Sequence, residues 1–126
     1  MKILVTGCQG QLGRELCRQI KERNEVYKNF QVLATDVDTL DITDAQQVKN
    51  VVERENPDVI INTAAYTKVD ACETDELTAF LVNAHGARNL AVAAYNIGAK
   101  ILQVSTDYVF PGTGNTPLRE YDPINP

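Results

Sequence analysis

The chain has 126 residues, of which 44% are hydrophobic and 23% are charged, and its formal net charge is −5. This composition is typical of a globular domain and excludes an intrinsically disordered chain. The acidic balance argues against a nucleic-acid partner, because nucleic-acid-binding proteins usually present a basic face. No apolar run approaches the roughly 20 residues that span a bilayer, and the N-terminus lacks the apolar core of a secretory signal. We therefore expect a cytoplasmic protein with no membrane partner.

The cysteines and the single histidine show no metal-ligating pattern. Cys8, Cys17 and Cys72 are unevenly spaced and form no Cys-x-x-Cys pair, so we expect no metal site and free thiols in a reducing compartment. Cys8 precedes a predicted helix, a position that can lower a thiol pKa, but we expect this thiol to be unreactive. His85 is expected to be exposed in the middle of a helix rather than catalytic.

Short apolar runs alternate with amphipathic segments along the chain. Strands are predicted over 2–6, 31–36, 58–62 and 100–105, and helices over 10–24, between Thr43 and Pro57, and over about 75–96. The order β-α-β-α-β-α-β requires crossover connections, which give a parallel sheet with helices on both faces. The predicted fold is therefore α/β, a doubly wound parallel sheet of Rossmann type, with residues 1–126 in one domain.

The helices carry more detailed predictions. Leu12, Leu16 and Ile20 are spaced by four and predict the inward stripe of the first helix. In the second helix, Thr43 is predicted as the N-cap and Gln46 as its capping-box partner. In the third helix, the acidic run 73–76 is predicted to form the start, and Gly98 is predicted to end the helix. Its predicted inward side chains are Leu77, Phe80, Leu81, Ala84, Leu90, Ala91 and Ala94.

Three glycines lie directly between the first strand and the first helix. Gly7, Gly10 and Gly13 are three positions apart, which is the pattern of a dinucleotide-binding turn. Such a turn exposes backbone N–H groups to a pyrophosphate, and the helix dipole favours the anion. Gly13 is expected to allow close packing of the helix. The alternative is an ordinary tight turn between a strand and a helix.

Asp36 ends the second predicted strand, 23 residues after Gly13. In dinucleotide-binding domains an acidic residue about 20 positions on binds the adenosine ribose. An acid at this position favours NADH over NADPH, because it repels a 2′-phosphate, and no Arg follows it immediately. The alternative is an ordinary Asp in a turn at the end of a strand.

Polar or small residues follow the strands at the edge where ligands bind in such sheets. Asp41 and Ile42 are expected to cover an adenine ring, although they also fit the start of a helix. The segment 62–66 leaves room for a ligand to pass the backbone, or packs on a neighbouring loop. The segment 105–110 carries Thr106 and Asp107, which suit contact with a polar substrate, although a solvated strand end has the same composition.

Taken in order, these motifs resemble the N-terminal part of an extended short-chain dehydrogenase/reductase, within the branch that reduces dTDP-4-dehydro sugars. The resemblance covers essentially the whole chain. The strings Ala64–Thr67 and Ser105–Phe110 are fairly specific to that branch. The motifs are Gly7-x-x-Gly10-x-x-Gly13, Leu40–Asp44, Pro57–Asn62, Ala64–Asp70, Val82–Ala84 and Val104–Gly112.

The resemblance implies a reaction and a set of site residues. A nicotinamide hydride, from NADH or NADPH, would reduce the 4-keto group of dTDP-4-dehydro-L-rhamnose to give dTDP-L-rhamnose for cell-surface polysaccharide. Thr106 would donate to the keto oxygen and Asp107 would contact the sugar, so that the hydroxyl stabilises the developing alkoxide. The cofactor-binding residues implied are Gly7, Gly10, Gln11, Leu12, Gly13, Asp36, Asp41, Ile42, Ala64, Ala65, Tyr66 and, on the nicotinamide side, Val104.

The chain departs from this family in one respect. The family's general acid is a Tyr with a Lys four residues later, and none of the five tyrosines here has a Lys at that position. We therefore expect a fragment that ends before this pair and before the substrate-binding region, and that is inactive alone. The unpaired edge of its last strand would favour self-association, and the full-length form could be a homodimer.

Two other functions remain open. A non-catalytic NAD(P)-binding regulatory subunit, like that of methionine adenosyltransferase, would have the same cofactor motifs. A sugar epimerase or dehydratase of the extended family is the third possibility, against which the string Thr106–Tyr108 argues by resemblance.

Overall fold

A computed structural model describes residues 1–23 and 28–125. Four strands form a parallel sheet in the order β2-β1-β3-β4. The strands are β1 (Lys2–Thr6), β2 (Gln31–Thr35), β3 (Val59–Asn62) and β4 (Lys100–Gln103). The helices are α1 (Gln11–Glu22), α2 (Ala45–Glu55), α3 (Val69–Cys72), α4 (Glu76–Phe80) and α5 (Ala87–Ile97), with a π-helical segment at Leu81–Gly86 and a 3₁₀ turn at Asp107–Val109.

The sheet is covered on both faces, as the predicted doubly wound fold requires. Leu4 and Ile60 are fully buried against the side chains of α2 and α5. Ile3 and Val5 point to the opposite face and pack with Cys17 of α1. The chain moves from β1 to β2 in one direction and then returns past β1 to β3, so successive right-handed crossovers lie on opposite faces. The prediction of an α/β sheet of Rossmann type is confirmed.

The inward stripe predicted for α1 is partly wrong. Leu16 and Ile20 are partly buried against the sheet, but Leu12 is 51% exposed. The buried positions are instead Gly13 and Cys17, because small side chains let the helix lie close to the loop and strand beneath it. The helix ends at Glu22, and the predicted end at Asn24 lies outside the described residues.

The cap of α2 is one residue later than predicted. Asp44, not Thr43, is the N-cap, and its carboxylate accepts hydrogen bonds from the backbone N–H groups of Gln46 and Gln47. Gln46 does not reach back, since its amide donates to Asn50 instead. Asp is as good a cap as Thr and carries the charge that the helix dipole favours.

The long helix predicted over 75–96 is not one regular helix. The structure divides this stretch into α4, the π-helical segment and α5, and Gly98 ends α5 in a left-handed conformation with φ +72°. Asp75 caps α4, which agrees with the predicted start. Of the predicted inward residues, only Leu90 and Ala94 are buried. The other five are exposed: Leu77, Phe80, Leu81, Ala84 and Ala91.

The inward face of this stretch is built from smaller and more polar residues. Gly86 lies against Ile42, and a Cβ at Gly86 would be 2.5 Å from Ile42 Cδ1. Asn89 is buried and donates from Nδ2 to the carbonyl of Ile42 at 3.0 Å. Five of the seven predicted inward positions are therefore wrong, because small and polar residues occupy part of the buried face. In the described ranges, no helix is both long and apolar enough to cross a membrane.

The strands are shorter than predicted at three ends. β2 ends at Thr35, β3 begins at Val59, and β4 ends at Gln103, so Asp36 and Val104 are the first residues beyond their strands. This places both residues at the carboxyl edge of the sheet, where parallel strands leave their loops.

Candidate functional site

The glycine-rich loop fits closely against the residues that follow β3. Gly7 has φ +70°, and a Cβ there would lie 2.6 Å from the backbone nitrogen of Ala64. A Cβ at Gly13 would lie 2.3 Å from the carbonyl oxygen of Gly7 and 2.7 Å from Thr63 Oγ1. All three distances are too short for any other residue type. The loop is thus held against β3 as well as turning the chain into α1.

The start of α1 carries no side-chain cap. Gly10 is the N-cap, and the helix has neither a side-chain cap hydrogen bond nor an acidic residue in its first turn. The first N–H groups of a helix need an acceptor, and an anion is well suited to supply one. Gln11 and Leu12 of this first turn are exposed. This cradle therefore fits a pyrophosphate group.

Asp36 is fixed beside the glycine-rich loop. Its Oδ2 accepts a hydrogen bond from the backbone nitrogen of Gln9 at 2.8 Å, and its Oδ1 accepts one from Val37 at 2.9 Å. The side chain of Gln9 also donates to both carboxylate oxygens of Asp38, at 3.3 Å. Gln9 therefore holds two carboxylates at one end of the loop.

The same carboxylates affect the pKa of the Cys8 thiol. Burial raises its pKa, and the negative charges of Asp36 and Asp38 raise it further. The position next to a helix start suggested the opposite direction. Burial and the two carboxylates outweigh a backbone hydrogen bond and the charge of Arg14, which lower the pKa, so the thiol is less ionised than a free cysteine.

These elements enclose a cleft of about 330 Å³ at the carboxyl edge of β1, β2 and β3. Eight of the predicted site residues line it: Gly7, Gly10, Asp36, Asp41, Ile42, Ala64, Ala65 and Tyr66. Six predicted site residues lie outside its lining: Gln11, Leu12, Gly13, Val104, Thr106 and Asp107. The lining residues that were not predicted are Val37, Leu40, Thr43, Thr63 and Val82.

The segment at 41–43 is held in place from two directions. Asp41 Oδ1 accepts hydrogen bonds from the backbone nitrogen and the hydroxyl of Thr43, at 2.9 and 2.7 Å. Asn89 of α5 donates to the carbonyl of Ile42. The Ile42 side chain is buried, so the segment both borders the cleft and anchors α5. The two interpretations of Asp41 and Ile42, helix start and cleft wall, are compatible.

The backbone of Tyr66 is held by the side chain of Asn83, which lies in the motif Val82–Ala84. Asn83 accepts a hydrogen bond from the Tyr66 nitrogen at 2.8 Å and donates to the Tyr66 carbonyl at 3.1 Å. This two-bond contact fixes the loop after β3 to the π-helical segment. The helical periodicity of the sequence does not predict this role for Asn83.

Thr106 and Asp107 lie beyond β4 and are exposed. The Thr106 hydroxyl accepts a hydrogen bond from the Tyr108 nitrogen at 3.3 Å and donates to Asp107 Oδ1 at 3.2 Å. Thr106 therefore caps the short 3₁₀ turn that follows it. The hydroxyl and the carboxylate are neighbours at the same edge of the sheet as the cleft.

The arrangement suits a dinucleotide laid across the sheet edge. The uncapped start of α1 presents N–H donors to an anion, Asp36 presents a carboxylate on the β2 side, and Ala64 and Ala65 leave space beside β3. A dinucleotide needs backbone N–H groups for its phosphates and small residues beside its path along the sheet edge.

Comparison with known proteins supports this interpretation. A family model described as the RmlD substrate binding domain matches residues 1–126. A dTDP-4-dehydrorhamnose reductase from Streptomyces griseus is 45% identical over 123 residues, which cover 98% of this chain and 39% of that protein. The chain therefore spans about two fifths of the length of the relatives it matches.

Solved structures agree with the sequence relatives. A dTDP-4-dehydrorhamnose reductase from Clostridium acetobutylicum superposes with a TM-score of 0.93 and is 49% identical, covering all of this chain and 43% of that one. A second, from Bacillus anthracis, was solved in complex with NADP. Its TM-score is 0.78 and its identity 43%, over 88% of this chain and 38% of the other.

Proposed function

The chain belongs to the RmlD substrate binding domain family, and from this premise we propose that it forms the NAD(P)H-binding half of a nucleotide-sugar reductase. The proposed reaction reduces the 4-keto group of dTDP-4-dehydro-L-rhamnose to give dTDP-L-rhamnose, and the names of the Streptomyces and Clostridium relatives support it. The observation that carries the proposal is the cleft in which the glycine-rich loop meets the ends of β2 and β3.

The proposed roles follow the direction of the cleft. The N–H groups at the start of α1 bind the pyrophosphate, Asp36 binds the adenosine ribose, and Ala64 and Ala65 border the path toward Val104. The cofactor supplies the hydride. The Thr106 hydroxyl donates a hydrogen bond to the keto oxygen, where negative charge develops as the hydride arrives, and Asp107 contacts the sugar.

Residues 1–126 alone are proposed to bind cofactor without turnover. No Tyr in this sequence has a Lys four positions later, so residues 1–126 lack the Tyr–Lys pair that would protonate the alkoxide. Reduction of the keto sugar by a purified chain of these 126 residues would contradict this part of the proposal.

Cofactor binding is the direct test. We expect the fluorescence of NADH to change on binding, with saturation at a single site. Ala65→Phe places a ring in the cleft and should abolish the change, whereas Ala91→Phe, on the exposed face of α5, should leave it intact. A folded chain that binds neither NADH nor NADPH would overturn the proposal.

We propose that the chain prefers NADH to NADPH. Asp36 and Asp38 both bond to Gln9, so a 2′-phosphate near the ribose would meet two carboxylates. Charges at an exposed site are screened by salt, so the preference should shrink as ionic strength rises. The relative from Bacillus anthracis was solved with NADP, so the preference would belong to this chain rather than to its whole family.

The ratio of the two dissociation constants tests this preference. We expect the constant for NADPH to exceed that for NADH by about tenfold, since one or two unfavourable charge contacts amount to roughly 1–2 kcal/mol. Asp38→Asn should reduce the ratio, and Glu53→Gln on α2 should not change it. A lower constant for NADPH than for NADH in the wild-type chain would refute the preference.

Self-association and a cytoplasmic location are also part of the proposal. In the part of the chain that the structure describes, β4 pairs with β3 alone and all four of its residues are exposed, so its other edge favours pairing with a second copy. The three free thiols suit a reducing compartment. Sedimentation equilibrium would show a dimer at micromolar concentration. A monomer at every concentration would exclude self-association of this chain.

A further inference from the structure

Three polar side chains form a line of hydrogen bonds across the carboxyl ends of β1, β3 and β4. Thr6 Oγ1 donates to Asn62 Oδ1 at 2.5 Å, and Asn62 Nδ2 donates to Gln103 Oε1 at 2.7 Å. Gln103 Nε2 then donates to the carbonyl of Val104 at 2.8 Å. Thr6 and Asn62 are each only 1% exposed. Buried polar groups of this kind have few alternative partners, so their geometry is strongly determined.

Asn62 also fixes the backbone at Ala64, which lines the cleft, and at Val104, which lies beyond it. Its Oδ1 accepts a second hydrogen bond from the nitrogen of Ala64 at 3.1 Å, and its carbonyl accepts one from Val104 at 3.2 Å. Through its side chain and its backbone carbonyl, one residue therefore connects the loop that follows β3 with the loop that follows β4. Gln103 completes the connection by donating to the Val104 carbonyl, which belongs to the next peptide group.

The order of the strands shows which part of a dinucleotide this connection would meet. Asp36 follows β2 at one edge of the sheet, the glycine-rich loop follows β1, and Ala64 and Val104 follow β3 and β4. A ligand with its adenosine at Asp36 and its pyrophosphate on α1 extends toward β3 and β4. Its opposite end, the nicotinamide nucleoside, then reaches the backbone that Asn62 and Gln103 hold.

We propose that Asn62 and Gln103 are positioning residues for the nicotinamide half of the cofactor. The inference rests on the proposed function. β4 is an edge strand with exposed residues, so its exit is not fixed by packing in the described part of the chain. The hydrogen bonds from Asn62 and Gln103 set the direction of the chain at Val104, and with it the position of Thr106 two residues later.

Gln103→Glu is the informative change. A glutamate has the same shape and can still accept the hydrogen bond from Asn62. Its second oxygen, however, would face the Val104 carbonyl, an acceptor against an acceptor, and would push that peptide group away. Gln103 is exposed, so the change should not prevent folding. Asn62 is a poorer choice for the test, because its replacement would leave the Thr6 hydroxyl buried without a partner.

The experiment compares two ligands that differ only at the nicotinamide end. Dissociation constants for NADH and for ADP-ribose, which lacks the nicotinamide, are measured by calorimetry with the wild-type chain and with Gln103→Glu. Gln31→Glu is the matched control, since it makes the same charge change at the amino end of the opposite edge strand, β2. Thermal unfolding of each variant confirms that it is folded.

We expect Gln103→Glu to weaken NADH binding by about tenfold, the effect of one hydrogen bond that is lost and replaced by repulsion. ADP-ribose binding should change less than about twofold, and Gln31→Glu should affect neither ligand. Equal losses for both ligands, or no loss for NADH, would overturn the assignment of Gln103. A wild-type chain that binds neither ligand would instead overturn the proposed function, and the assignment with it.

Discussion

Individual glycines of the loop have different physical requirements. Gly7 combines a left-handed backbone with a close approach to Ala64, so two independent constraints exclude a side chain there. Gly13 lies in a helix, where any residue is allowed by the backbone, and the contacts with Gly7, Cys8 and Thr63 exclude a Cβ. At Gly10 a Cβ would be 3.2 Å from the carbonyl of Gly7, which a small shift can relieve.

This difference predicts a large effect at position 13. Gly13→Ala forces a methyl group into the backbone of the loop, and we expect it to lower the free energy of unfolding by about 2–3 kcal/mol and to abolish NADH binding. Gly112→Ala is the control, because Gly112 has φ +64° but no atom within 4 Å of its Cβ direction. Its cost should be about 1 kcal/mol. Urea unfolding measures both, and equal costs would show that close packing at Gly13 is unimportant.

At the level of single elements, the sequence predicted the strands and the starts of helices better than the faces of helices. β1 through β4 follow from short β-branched runs, and Asp75 and Gly98 bound the third helical stretch as expected. The π-helical segment changes the rotation of the chain between α4 and α5. Because Gly86 and Asn89 also face the core, a search for apolar side chains found only part of the buried side, at Leu90 and Ala94.

The residues of the candidate site also fall into those that the sequence predicts and those that it does not. Residues adjacent to a recognisable motif, such as Asp36 and Ala64, were predicted and line the cleft. Val37 comes from a turn without a motif of its own. Leu40 and Val82 begin the motifs Leu40–Asp44 and Val82–Ala84, but their place in the cleft depends on packing that the motifs do not show. The sequence indicates no separate role for Asn62, because its role depends on neighbours 56 and 41 positions away.

The cap of α2 gives a prediction at the level of one helix. Asp44→Ala removes two hydrogen bonds to the first turn, and we expect it to lower the free energy of unfolding by about 1 kcal/mol. Asp44→Asn keeps a cap and should cost less. Chemical denaturation of the three proteins measures the difference. A larger loss for Thr43→Ala than for Asp44→Ala would favour the capping box predicted from the sequence.

Charge pairs act on the molecule as a whole. Lys2 in β1 binds Glu55 at the end of α2 at 2.8 Å, which ties the amino edge of the sheet to a helix. On α1, Arg18 bonds to both Glu15 and Glu22. These pairs are partly or largely exposed, so each contributes little and is weakened by salt. Their effect on the protein is seen most clearly in how its stability depends on pH.

Two carboxylates, those of Glu15 and Glu55, determine whether the stability rises or falls with pH. Hydrogen bonds from Arg18 and then Gln19 lower the pKa of Glu15 from its ordinary value of 4.5 to about 2. Hydrogen bonds from Lys2 and then Arg54 lower the pKa of Glu55. A carboxylate that releases its proton more readily in the folded state stabilises that state above the unfolded pKa, and this contribution disappears as the pH falls through the folded pKa.

The free energy of unfolding should therefore decrease as the pH is lowered from about 5 toward 2. We expect Glu15→Gln to reduce this decrease, because the variant has no carboxylate to protonate at that position. Glu53→Gln, an exposed change on α2 with a longer ion pair of 3.9 Å to Lys49, should reduce it less. Urea titrations at pH 7 and pH 3, with and without 1 M salt, separate the contributions, since salt screens these exposed pairs. An equally steep acid dependence in Glu15→Gln and in the wild type would mean that the α1 ion pairs do not stabilise the fold in solution.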